Sequence, residues 1–304
     1  MPRAPFDFAH VLGYLGRSSL EPLDIVAEGA YRRAVRLADR PALVEVTSVG
    51  TVDAPALAVR VLAGDGQAVV GADLHVLATG EAARWVRADE DPSELALIAA
   101  ADPVFGALLA RLRGARSPVM PSPFEALIWA ILGQQINLSF AYRLKRALVE
   151  RYGERLEYDG RTYYLFPAPD VLAEADPTEL RRLQFSRQKS EYVRSLAALA
   201  AAGSIAWEAL RALPSDEAVA ELSRLRGVGR WTAEYVCLRG LGHRDVIPAA
   251  DVGLKVAIGR AYGLGRQATE AEIRGLAERW AGWRGHAAYC WWYSLALDRA
   301  AAAP

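Results

Sequence analysis

Gly227-Val228-Gly229 constrains the fold of this chain more than any other short stretch. An apolar-periodic segment ends near Leu225 and a second begins at about Arg230, so the triplet interrupts a helical pattern. Two glycines around one apolar residue let the backbone turn sharply and approach another molecule closely, while Val228 plugs the gap between the helices. The second helix of such a hairpin points its free N-terminal amides outward. Those amides and the helix dipole make a place for a phosphate, so Gly227, Val228, Gly229, Arg230 and Thr232 are candidate contacts to a polyanion gripped without sequence readout. Glycine turns also join helices for purely structural reasons, and the hairpin alone leaves both readings open.

The apolar period divides the rest of the chain. Residues Ala42 to Val49 and Ala56 to Leu62 are rich in Val and Leu with partial alternation, and Gly64-Asp65-Gly66 supplies a turn before the apolar Ala68 to Val70. After Asp91 apolar residues recur at three and four, punctuated by Gly or Pro. The pattern predicts an α+β protein: a small antiparallel sheet with helices on one face over 1–90, then a mostly α-helical core over 91–304, with the boundary near Asp89 to Pro92. One helix start is well marked. Ser122 is a cap, Pro123 suits the first helical position and Glu125 completes a capping-box pattern. Phe124, Leu127, Ile128, Ile131 and Leu132 then share a core face up to Gly133. Gln134, Gln135 and Ile136 form a tight polar elbow, and Asn137 caps the next helix, which reaches Gly153.

Composition narrows the function classes. With 304 residues and 52% hydrophobic content the chain buries a large core in two or three domains. The Ala-rich stretch after Ser195 is broken by Glu208, short of the roughly 20 apolar residues of a membrane span. The N-terminus MPRAPFDFAH lacks the layout of a signal peptide, so an intracellular, cytoplasmic protein is expected. Cys237 and Cys290 stand far apart without CxxC or a His at ligand spacing, which leaves no disulfide framework, zinc site or iron–sulfur cluster. Net charge is zero, but residues 221–266 hold eight basic side chains against four acidic ones, a stretch suited to a polyanion.

Asp251 stands before a helix that starts near Val252, where by itself it is most simply an N-cap worth about 1 kcal/mol. The order is more specific: LRGVGRWTA, a spacer with Pro248, then an Asp opening a helix about twenty residues on. It resembles the helix-hairpin-helix and Gly/Pro-rich loop followed by Asp of a DNA glycosylase superfamily. FEALIWAILGQQI, GVGRWTAEY, LRGLG, DVIPAADVGLK and AERWAGWRGHAAYCWWY further resemble the blocks of the bacterial 3-methyladenine DNA glycosylase II branch, in order and spacing, from Pro121 to Leu297. The N-terminal segment is similar to that family's sheet domain, more weakly.

The resemblance implies a three-part architecture with the site between two helical lobes. It implies that Asp251 is the catalytic carboxylate and that Trp231, Tyr235, Trp292 and Tyr293 form an aromatic base pocket. Gln135 lies where the family inserts a residue, commonly Leu, into the DNA stack, and Ala250 replaces an acidic residue found in some members. The carbonyls of Ser223, Leu225 and Val228 fall where relatives hold a monovalent cation, Na+ or K+, and no cofactor is required. Trp231 occupies the position of the Schiff-base lysine of bifunctional relatives, so no lyase step is expected. The implied partner is double-stranded DNA carrying alkylated bases, bound by a monomer at the nucleoid.

These residue types suit the reaction. Purine release passes through a cation-like sugar that a nearby carboxylate stabilises, and a methylated purine is itself cationic and is attracted by electron-rich ring faces. Core packing is the expected role of most of the tryptophans, including Trp280 and Trp283. Two alternatives remain open: a relative acting on oxidised or deaminated bases, and a non-catalytic hairpin module that only binds DNA.

Overall fold

The structure, a computed structural model, describes residues 1–64 and 72–301. The turn read at Asp65-Gly66 and the apolar Ala68 to Val70 lie outside the described residues. Helix α1 (Phe8–Leu15) precedes four strands, β1 (Ile25–Ala27), β2 (Ala30–Leu37), β3 (Arg40–Ser48) and β4 (Leu57–Gly64), which pair antiparallel in chain order. Alternation sends the two faces of this sheet to different partners. Tyr31, Val35, Val44 and Val46 join the main core beneath the helices, while Ala34 and Leu43 face the other way.

A second sheet covers that other face, a strand pair set within the mostly helical segment after Asp91. Strands β5 (Arg155–Tyr158) and β6 (Arg161–Tyr164) form a hairpin whose Leu156 and Tyr163, with Leu165, pack on Ala34 and Leu43. Its turn, Asp159-Gly160, has φ of 49° and 68° at the two residues, the left-handed pair of a tight hairpin.

Helices α2 (Ala72–Trp85), α3 (Leu95–Ala101), α4 (Pro103–Arg111), α5 (Pro123–Gly133) and α6 (Leu138–Tyr152) follow the first sheet, with the β5–β6 hairpin after α6. Next come α7 (Pro169–Ala173), α8 (Pro177–Arg182), α9 (Arg187–Ala201), α10 (Trp207–Ala212) and α11 (Ser215–Ser223). The helices α12 (Arg230–Val236), α13 (Val252–Ala261), α14 (Glu270–Ala277) and α15 (Arg284–Ala301) complete the chain. One lobe is built on α5 and α6 to α12, and the other on α13 to α15. Helices α3 and α4 pack with the second lobe, Phe105 of α4 lying 5.6 Å from the Trp291 ring of α15, so this lobe draws chain from both ends of the first. Trp280 and Trp283 are fully buried there, their indoles donating to Asp102 and Glu94. Among the described residues no helix is long and apolar enough to cross a membrane.

Helix α5 departs from its one-faced pattern, since every residue from Phe124 to Leu132 is buried. Phe124, Leu127, Ile128, Ile131 and Leu132 enter the main core; Ala126, Trp129 and Ala130 enter a second cluster with Tyr142 and Tyr235. Ser122 caps the helix as expected, accepting from the Phe124 amide, but Glu125 does not close a capping box. Its carboxylate turns inward to the Arg33 guanidinium of β2 and to Lys145 Nζ of α6 at 3.3 Å. Arg33 also bonds Asp24 at 2.7 Å, and Lys145 bonds Glu21 at 2.8 Å. This buried cluster of two cations and three carboxylates fastens the sheet to the lobe that carries α5 and α6. Pairing offsets the cost of burying each charge.

Candidate active site

Pro248 starts a turn in which the Asp251 amide donates to the Pro248 carbonyl at 2.9 Å, leaving Asp251 extended at the N-cap of α13. Its Oδ1 accepts the Leu254 amide at 3.0 Å, so the N-cap role is real. The rest of its environment is not that of a plain cap. The Trp292 indole N–H donates to Oδ1 at 2.8 Å and the Trp231 indole N–H donates to Oδ2 at 3.2 Å. Three donors from three helices therefore hold one half-exposed carboxylate in a fixed orientation. Gly253 makes room for this, because a side chain there would come within 3.0 Å of Asp251 Oδ1 and 3.3 Å of the Trp292 ring.

The two indoles pack on an aromatic cluster where α12 and α15 meet. Tyr235, one turn after Trp231, lies 5.8 Å from the Trp231 ring and 6.0 Å from the Trp292 ring. Burial pushes its phenol well above the usual tyrosine range. Trp129 and Tyr142, 4.9 Å apart, extend the cluster, with Leu20 of the N-terminal region at its edge. Sequence reading passed over these two; their signal was position on α5 and α6 opposite the apolar stripe.

Tyr293 is not part of this cluster, which corrects the expected pocket. It packs against His10 at 5.7 Å, Tyr14 at 6.0 Å and Tyr289 at 5.8 Å, joining α15 to α1. One residue beyond Trp292 on a helix means a turn of about 100°, enough to send the ring to another surface.

The hairpin has the expected turn. Gly227 has φ of 90°, and Val228 is buried between the helices. Among the described residues the amides of Gly229, Arg230, Trp231 and Thr232 donate to no backbone carbonyl or side chain. Arg230 is largely exposed and is tied through Nε to Glu234 at 2.9 Å, which also bonds Arg274 of α14 at 2.8 Å. Burial raises the Glu234 carboxyl above its ordinary value, partly offset by the two arginines. The Thr232 side chain does not face outward: it is 2% exposed, and its hydroxyl accepts from Gln134. Its contribution to the outer face is its backbone amide alone.

An open groove of ≈ 560 Å³ lies at this hairpin, away from the Asp251 carboxylate. Gln134, Gln135, Ser223, Leu225 and Val228 are among its lining residues. Gln135 is exposed at φ of 58°, at the tip of the elbow. The Leu225 carbonyl accepts the Val228 amide at 3.0 Å, whereas among the described residues those of Ser223 and Val228 accept nothing. Three carbonyls with spare lone pairs on one turn fit a hard monovalent cation in donor chemistry.

This arrangement has known counterparts. Residues 128–282 match the family model of HhH-GPD superfamily base excision DNA repair proteins, and residues 2–122 match the AlkA N-terminal domain. The chain belongs to the HhH-GPD superfamily, in the branch that carries the AlkA N-terminal domain. It is 30% identical over 292 residues to the DNA-3-methyladenine glycosylase 2 of Escherichia coli (strain K12), covering 95% of this chain and 94% of that one. With the DNA-3-methyladenine glycosylase of Bacillus subtilis (strain 168) it shares 36% identity over 211 residues, 69% of this chain and 70% of the relative. Among solved structures, the 3-methyladenine DNA-glycosylase from Archaeoglobus fulgidus superposes with a TM-score of 0.79 at 26% identity, covering 96% and 95% of the two chains.

Proposed function

We propose that this chain extrudes an alkylated base from duplex DNA into the cleft of Trp231, Tyr235 and Trp292 and hydrolyses its glycosidic bond at Asp251, without cutting the strand. The protein is a DNA glycosylase of base excision repair, and DNA is its partner. The observation that carries the finer reading is the carboxylate of Asp251 held by two indoles that also belong to an aromatic cluster.

As the base leaves, positive charge grows on the sugar, and the oriented carboxylate stabilises it electrostatically and aligns the attacking water. A methylated purine already carries positive charge and needs no strong general acid. Each ring face that stacks on it contributes about 0.5 to 2 kcal/mol of cation–π and stacking attraction, which favours electron-poor lesions over normal bases. Extrusion must come first, and Gln135 at the elbow tip is the residue placed to fill the gap left in the stack.

The free amides of α12 take a phosphate of the damaged strand, with the exposed guanidinium of Arg230 beside them. A monovalent cation on the carbonyls of Ser223, Leu225 and Val228 would add positive charge facing that phosphate. An indole at 231 leaves no amine to form a Schiff base beside Asp251, hence hydrolysis only. One chain suffices for this chemistry, and its substrate places it with the chromosome in the cytoplasm.

The test is to incubate the protein with methylated duplex DNA, identify released bases by mass and assay strand breaks with and without alkali. Release of methylated purines with breaks only after alkali is the expected result. Breaks without alkali overturn the hydrolysis-only reading, and bound but intact DNA overturns catalysis.

A further inference from the structure

Resting on the reading of Gln135 as the inserted residue, we infer that Gln134 is a positioning residue that locks the insertion tip in register with the base cleft. Its side-chain nitrogen donates to two acceptors on one hairpin, the Gly227 carbonyl at 3.0 Å and Thr232 Oγ1 at 3.0 Å. A backbone carbonyl only accepts, which fixes the amide with its nitrogen toward the hairpin. The two acceptors bracket the turn and the first turn of α12, and Trp231 lies between them in sequence. One side chain therefore fastens the elbow to the segment that carries the wall of the cleft and a donor to Asp251.

Neighbouring contacts tie down the same helix end. The Leu132 carbonyl accepts Lys189 Nζ at 2.5 Å, and Gly133 faces the Trp231 ring, where a side chain would lie 3.9 Å from it. Gln134 leaves the helix at φ of −59° and ψ of 128°, after which Gln135 takes its left-handed conformation. The backbone that aims residue 135 is thus set at residue 134. Pushing the base out and receiving it in the cleft are separate acts on separate elements, and their spacing is held by these two hydrogen bonds. Neither bond is needed for the carboxylate itself to act.

The consequence is a loss confined to substrates that must be extruded. Gln134→Met keeps the side-chain length and removes both donors. On duplex DNA with 7-methylguanine opposite cytosine, single-turnover base release should fall about tenfold or more, since small misplacements of this kind are costly. On the same lesion in a bulge with no opposite nucleotide, where unpairing is already done, release should stay within about threefold of the parent. Binding to undamaged duplex should also stay within about threefold, because the hairpin amides remain. Thr232→Val, which removes one acceptor, should show the same substrate pattern more weakly, and Thr232→Ser should restore the parent rate. Thermal melting checks folding; if Gln134→Met does not fold, the pair at Thr232 carries the test.

Equal loss on paired and bulged substrates, or no loss on the paired one, overturns the inference. Gln135→Ala separates it from the reading beneath it. If that variant releases the paired lesion at the parent rate, the insertion reading fails and takes the inference with it. If it slows release while Gln134→Met and Thr232→Val do not, the inference alone fails.

Discussion

Replacing Asp251 by Asn removes a charge and almost no volume. Oδ1 accepts two of the three hydrogen bonds, from Trp292 at 2.8 Å and Leu254 at 3.0 Å, so the amide oxygen of the variant will sit there. Its NH2 then faces the Trp231 indole, where donor meets donor in place of the 3.2 Å bond. Asn caps helices as well as Asp does, so the stability loss is that one bond to a charged acceptor, about 1.5 kcal/mol. The catalytic loss is larger. A carboxylate about 4 Å from the developing sugar cation, at an effective dielectric of about 20, stabilises it by about 4 kcal/mol. That energy corresponds to about a thousandfold in rate. Single-turnover release of methylated purines gives the rate, fluorescence anisotropy on undamaged duplex gives binding, and urea unfolding gives stability. Release within about tenfold of the parent by a folded, DNA-binding variant would refute the electrostatic role of this residue.

Three further outcomes follow from the packing. Tyr293→Ala should cost about 3 kcal/mol in urea unfolding through the lost aromatic core at α1, while single-turnover release stays within about threefold. Glu125→Gln leaves Arg33 and Lys145 with a carboxylate missing, and breaking a buried cluster of this kind costs about 3 to 5 kcal/mol, read as a drop in unfolding free energy. His286 is buried, which depresses its imidazole from 6.5 to about 3. A folded value below the unfolded one means that the unfolded chain takes the proton first, so stability is lost as pH falls below about 6.5. By pH 5 that loss is about 2 kcal/mol, and His286→Gln should flatten it in urea titrations at pH 7 and pH 5.

What the sequence conveyed, and what it hid, follows from the range of each interaction. The hairpin, the cap at Ser122, the cap at Asn137 and the place of Asp251 are local events, written within a few residues and confirmed in the geometry. Strands β3 and β4 showed in their alternation, whereas β5 and β6 span four residues each, and only Asp159-Gly160 marked them. Glu125 had the spacing of a capping box and found a stronger partner in Arg33, 92 positions away. Trp292 and Tyr293 are both aromatic and adjacent, and residue type alone did not separate a ring that bonds Asp251 from one that meets His10. Rotation about α15 decides that. The pattern marked Gln134 as part of a polar elbow but not its partners, which are set by how α5 meets α12.

Trp231 and Trp292 each serve two purposes, as faces of the aromatic cluster and as donors to the carboxylate between them. Shape and reactivity are therefore not independent variables for this enzyme under selection or engineering. A smaller residue at 231 makes room for a bulkier adduct and at the same time leaves Oδ2 of Asp251 without its donor, while one at 292 leaves Oδ1 with the Leu254 amide alone. Broadening of the lesion range by that route carries an intrinsic penalty in turnover, so new specificities are more accessible through Trp129, Tyr142 or Leu20, which belong to the same aromatic cluster without holding the carboxylate.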